Sequence, residues 1–144
     1  MPFLYGVTTM NIEYHTKAHS KFLLIFHLIL VCKYRKKLLA DNNISTCIKQ
    51  LSETICNRRK THILKMETDN DHIHYMLEII PNTNLADLVK TIKSYTTFHI
   101  WSHFRQKLSK EFWKEHTFWT DGYFLTSIGN VSQTILETYI ENQG

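Results

Sequence analysis

From Phe22 to Cys32 the chain is almost continuously apolar, interrupted only by His27. The run is too short to span a bilayer, and its length and branched residues predict a central β-strand buried on both faces. Ile44, Cys47, Ile48, Leu51 and Ile55 then recur at helical spacing. Lys49, Arg58, Arg59 and Lys60 lie off that stripe or in the last turn, where cations suit the helix dipole. His62 to Glu67 alternates as a strand would. Thr68, Asp69, Asn70 and Asp71 have turn composition, and His72 to Ile80 returns as the hairpin partner. Pro81, Asn82 and Thr83 stop that strand, and Asn84 is placed to cap a second helix. Leu85, Leu88, Val89, Ile92 and Thr96 share one face of it, and the pattern runs on past Trp101 toward Leu108. Tyr123 to Ile128 reads as a fourth strand. Gly129 and Asn130 break the chain before a last helix, 131–143, with Val131, Ile135, Leu136, Tyr139 and Ile140 on one stripe. The order β-α-β-β-α-β-α predicts an α+β fold, an antiparallel β-sheet with helices packed mainly on one face. Residues 1–20 have no period and are read as an arm; 21–143 form one domain.

At 144 residues and 17.1 kDa the chain is long enough for one real core. Its formal charge of +4 is compatible with a nucleic-acid partner without being diagnostic of one. Cys32, Cys47 and Cys56 are an odd number without metal-type spacing, which favours free thiols in a reducing compartment. Lys17, His19 and Lys21 before the apolar run, with Leu30-Val31-Cys32 at its end, imitate a lipoprotein leader. Val31 is bulky for a residue before such a cysteine and Lys33 to Lys37 follows at once, so we read a strand, and a cytoplasmic protein, instead.

The candidate chemistry lies in two places. His72 and His74 are two apart on a predicted strand, so both imidazoles face one side. Tyr139 and Gln143 are four apart on a predicted helix, so a phenol and an amide share a face. Two nitrogen ligands, a neutral oxygen ligand and a phenol are sufficient parts for metal-assisted attack on a phosphodiester. Ligands of this kind are expected to stand exposed, so that removing one leaves no cavity. His27 is read as a hydrogen-bonded core histidine. Lys33, Arg35, Lys36 and Lys37 form a dense basic cluster suited to phosphate contacts, which Lys90 and Lys93 could extend. Trp101, Trp113, Phe118 and Trp119 could stack bases, although core packing or a subunit interface suits most of them better.

These segments, in this order, resemble the HUH single-tyrosine transposases of insertion sequences, of the insertion-sequence 200/605 type. His27 to Lys36 is similar to their first-strand motif and Asp71-His72-Ile73-His74 to their aspartate-led HUH segment. Phe118 to Phe124 and Ser127 to Asn130 resemble the stretch that leads into their tyrosine helix, where Tyr139 to Gln143 then stands. The resemblance runs from about Lys21 to the C-terminus. It implies a ferredoxin- or RNA-recognition-like HUH fold, with Tyr139 as nucleophile and His72, His74 and Gln143 as ligands of a divalent metal, Mg²⁺ or Mn²⁺. It also implies cleavage and rejoining of single-stranded DNA through a 5′-phosphotyrosine, recognition of DNA hairpins at transposon ends, and a homodimer whose tyrosine helix completes the partner's site in trans. Such a dimer would bury apolar surface, for which the first strand's edge is the expected place. Asn130 stands where relatives often carry a second glycine, which weakens the inference of a mobile hinge at Gly129. A different class, a non-catalytic nucleic-acid-binding module, shares the element order, but the aromatic-basic signature of RNA-recognition strands is absent. A replication-initiator relay would normally sit in a longer chain.

Overall fold

The structure is a computed structural model that describes residues 24–128 and 140–143. Its elements are β1 (Leu24–Val31), α1 (Asn42–Arg58), β2 (His62–Thr68), β3 (His72–Ile79), α2 (Leu85–His103), α3 (Arg105–Glu111) and β4 (Phe124–Ser127). The four strands form one antiparallel sheet in the order β2-β3-β1-β4. This is the α+β architecture that the periodicity predicts. The expected arm, the hinge region of Gly129 and Asn130, and Tyr139 lie outside the described residues.

The alternation of side chains along the strands divides the sheet into two unlike faces. Leu28 and Leu30 of β1, with Ile73, Tyr75, Leu77 and Ile79 of β3, point toward the helices. They bury against Ile44, Ile48 and Ile55 of α1 and Leu88, Val89, Ile92 and Ile100 of α2. Polar groups inside this layer are satisfied. The Tyr75 hydroxyl lies 2.7 Å from Oγ of Ser52, and the Trp119 indole donates to Oγ1 of Thr96 at 2.9 Å. Trp101, Phe118 and Trp119 are core residues, whereas Trp113 is 84% exposed. Of the aromatics considered for base stacking, only Trp113 therefore offers a free face.

Local chemistry sets the helix ends. Asp41 caps α1 by accepting from the backbone N–H groups of Asn43 and Ile44, and Asn84 caps α2 by accepting from that of Asp87. The second helix does not continue to Leu108. Phe104 leaves helical geometry at φ −132° and ψ 38°, and α3 starts anew after it. Apolar spacing cannot register that break, because Leu108 remains a core residue on either side of it.

One expectation is overturned. The first strand offers no open edge for a dimer, because β3 and β4 pair with it on both sides. The outer strands are β2 and β4. No described helix is long and apolar enough to cross a membrane.

Candidate active site

The face of the sheet turned away from the helices carries the candidate site. His72 and His74 lie on it because their strand neighbours Ile73 and Tyr75 point into the helical core. Antiparallel register places Val31 opposite His72 and Ile29 opposite His74, so these four side chains share the same face. Ile140 packs on Ile29, Val31 and Phe124. Of the described C-terminal residues, 140–143, Ile140 thus rests on this face of the sheet, and the half-buried Gln143 follows three positions later. Tyr139, which precedes it, is outside the described residues.

The two histidines meet through Nε2. Those atoms stand 3.1 Å apart. Two nitrogens at about 2.1 Å from one octahedral ion, at right angles, would be separated by about 3.0 Å, so the pair fits adjacent positions on a divalent cation. Among the described residues no three His, Cys, Asp or Glu side chains form a metal-binding group. Among these residues the two imidazoles therefore stand as a pair.

Three further residues surround this pair, none of which the spacing of residues assigns to the site. Nδ1 of His72 lies 2.8 Å from Oδ1 of Asp71, and Arg35 donates to Asp71 Oδ2 at 3.0 Å. Burial opposes ionisation of Asp71, but the hydrogen bonds from His72 and Arg35 outweigh it and hold the carboxyl below its ordinary range. An ionised carboxylate only accepts. His72 must then carry a proton on Nδ1, and in its neutral form Nε2 keeps a lone pair on the side of His74. On the other side, Nε2 of His27 lies 3.1 Å from Nδ1 of His74. Burial first, then the neighbouring His72 and His27, lower the pKa of His74 to about 4. Its ring is neutral at physiological pH, as a metal ligand must be.

The expected exposure of the ligands is not what the structure shows. His72 is buried, 8% exposed, and His74 is half-buried. Packing by the Asp71 contact and the strand neighbours covers them, so replacing His72 by alanine removes a packed, hydrogen-bonded ring.

Residues 20–143 match the family described as "Transposase IS200 like". The chain belongs to the IS200-like transposases. It is similar to the transposase for insertion sequence element IS200 of Salmonella typhimurium, 24% identical over 126 residues, covering 88% of this chain and 80% of that one. It is also similar to the ISDra2 transposase TnpA of Deinococcus radiodurans, 25% identical over 118 residues, covering 82% of each. Among solved structures, a Deinococcus radiodurans R1 protein assigned as a transposase superposes with a TM-score of 0.78 at 25% identity, covering 87% of this chain and 94% of that one. A REP-associated tyrosine transposase bound to a REP hairpin shares the fold, with a TM-score of 0.52 at 12% identity over 84% of this chain and 64% of that one.

In this IS200-like transposase the basic cluster is less free than its density suggests. The turn after β1 holds Tyr34 and Arg35 in left-handed backbone, at φ 59° and 51°, a conformation that costs roughly 1–2 kcal/mol per residue. All four side chains of the turn make contacts: Lys33 with Asp121, Tyr34 with Glu115, Arg35 with Asp71, and Lys36 with Glu111. The turn aims Arg35 at Asp71, so this guanidinium serves the imidazole pair before any phosphate. Lys93 is committed as well. Its ammonium donates to the carbonyls of Thr120 at 2.7 Å, Asp121 at 2.9 Å and Gly122 at 3.4 Å. Lys37 and Lys90 are exposed, and among the described residues neither pairs with a carboxylate.

Proposed function

We propose that this chain cleaves and rejoins single-stranded DNA at insertion-sequence ends by tyrosine transesterification, recognising subterminal hairpins. The observation that carries this reading is the convergence of His72 and His74 at 3.1 Å on the same face that receives Ile140, three residues before Gln143. His72, His74 and Gln143 would hold a divalent cation, Mg²⁺ or Mn²⁺, whose contribution when bound is to neutralise phosphate charge and orient the ester.

The Tyr139 oxygen attacks the phosphorus in line, and the bond to the 3′ oxygen breaks. A 5′-phosphotyrosine forms and a free 3′-hydroxyl leaves with a proton. No water is consumed, so the same hydroxyl can attack the phosphotyrosine and rejoin the strand. A phenol with a pKa near 10 is a poor nucleophile at neutral pH, so Tyr139 would have to be placed in line with the phosphorus beside the imidazole pair to react. Of the basic residues expected to meet backbone phosphates, Lys37 and Lys90 are exposed without a carboxylate partner among the described residues, with Lys33 and Lys36 available once their exposed ion pairs open. One nucleophile per chain and two transposon ends favour a homodimer. A neighbour of the same fold carries a hairpin, which makes hairpin DNA the substrate class to test.

The test is a denaturing gel with labelled single-stranded element ends. A covalent adduct that needs Mg²⁺ or Mn²⁺ and disappears in Tyr139→Phe, with hairpin binding retained, is the expected result. An adduct that persists in Tyr139→Phe refutes the nucleophile. Hairpin binding with no adduct under any condition favours a binding-only protein.

A further inference from the structure

His27 sits in the middle of β1 at 1% exposure, and nothing in the proposed reaction uses it. Its register partner across the strand pair is Met76, yet its ring reaches along the sheet face to His74, with centroids 5.2 Å apart and Nε2 at 3.1 Å from Nδ1 of His74. A buried polar ring in an otherwise apolar central strand is costly unless its bonds are made. The contact with His74 therefore needs an explanation beyond packing.

The direction of the hydrogen bonds supplies one. Asp71 accepts from Nδ1 of His72, so a neutral His72, the form a metal ligand takes, presents a lone pair at Nε2. In direct contact at 3.1 Å, His74 must then donate from Nε2. That leaves His74 Nδ1 as an acceptor, and His27 must donate to it from Nε2. A cation that takes the lone pairs of both Nε2 atoms demands the opposite arrangement. The proton of His74 must then lie on Nδ1, where it needs an acceptor, and His27 Nε2 is the atom in reach. With all three rings neutral, each keeps one proton in both states and only the positions change.

We propose that His27 is a positioning residue for His74: it donates to Nδ1 in the metal-free protein and accepts from Nδ1 when a divalent cation is bound. This rests on the metal reading above. Imidazole suits the task because either ring nitrogen can carry the proton. A ligand's outer partner of this kind changes metal affinity by about 10- to 100-fold.

Two measurements test it. In the first, Mn²⁺ affinity and melting temperature are measured for the full chain and two variants. His27→Leu can neither donate nor accept, while His27→Gln can do either by turning its amide. We expect Mn²⁺ binding about 10- to 100-fold weaker in His27→Leu, most of it regained in His27→Gln. Equal affinity in a folded His27→Leu chain overturns the proposal, as does a Gln variant no better than Leu. In the second, nitrogen NMR of the wild-type imidazoles reads the proton positions directly. The His74 proton is expected on Nε2 without metal and on Nδ1 with Mg²⁺, and the same position in both states overturns the inference. If the wild-type chain binds neither ion, the metal reading itself fails. The metal-free spectrum then still decides this pair: a proton on His27 Nε2 supports the assigned hydrogen bond, and one on His27 Nδ1 removes it.

Discussion

Asp71 Oδ1 lies 2.8 Å from Nδ1 of the adjacent His72, and this contact decides which nitrogen of that ring can bind anything else. Nearest neighbours on a strand ordinarily point to opposite faces. They meet here because Asp71 precedes the strand, in the turn between β2 and β3, where Arg35 holds its other oxygen.

Asp71→Asn should therefore weaken metal binding more than it weakens the fold. An amide can still accept from Nδ1, but it no longer holds a charge against His72 and Arg35. Calorimetry with Mn²⁺ is expected to show about 10- to 100-fold lower affinity. Unchanged affinity would show that His72 keeps its orientation without the carboxylate.

The buried imidazoles make the metal-free protein sensitive to acid. The folded pKa of His74 is about 4 against an ordinary 6.5, lowered first by burial and then by His72 and His27. Burial lowers His27 as well. Below about pH 6.5 the unfolded chain takes up protons that the folded chain refuses, so stability falls as the pH falls, down to about pH 4. His74 alone accounts for up to roughly 3 kcal/mol across that window. Urea denaturation in EDTA should show the decline, with a shallower slope in His74→Gln. Stability that is flat between about pH 6.5 and 4 would contradict the burial of these rings.

The basic residues should separate into two groups. Replacing Lys37 and Lys90 together by alanine should lower the salt dependence of single-strand binding, by about 0.7 in the log–log slope for each lost phosphate contact, with no change in melting temperature. Lys93→Met should do the reverse. It abandons three carbonyls and should destabilise the fold by about 1–3 kcal/mol, leaving the salt slope of the folded protein nearly intact. A Lys93→Met chain as stable as the wild type would remove its structural role.

Mixing a Tyr139→Phe chain with a His72→Ala, His74→Ala chain reads which subunit supplies the tyrosine. If dimers share sites in trans, adduct formation returns, one working site per mixed dimer. Background activity would assign Tyr139 to the imidazoles of its own subunit, where Ile140 meets Ile29, Val31 and Phe124 of the same chain. Sedimentation showing only monomer at micromolar concentration would refute the dimer and the trans model together.

Much of this molecule was legible in its sequence because strand and helix periods are local properties. The alternation through His72, Ile73, His74 and Tyr75 by itself sends two imidazoles to one face and the core residues to the other, and Asn84 announces a helix start without reference to the rest of the fold. Residue types in order likewise sufficed to indicate the transposase family. Only the tertiary structure decided what surrounds the imidazoles. His27 and His74 are 47 positions apart, and Arg35 and Asp71 are 36 apart, and no local period relates such pairs. Strand order brings them together, and it also closes both edges of β1, which its apolar composition alone left open. The same holds for the basic cluster: a lysine's charge is written in the sequence, but whether a carboxylate, a row of carbonyls or a phosphate meets it depends on what the fold places within a few ångströms.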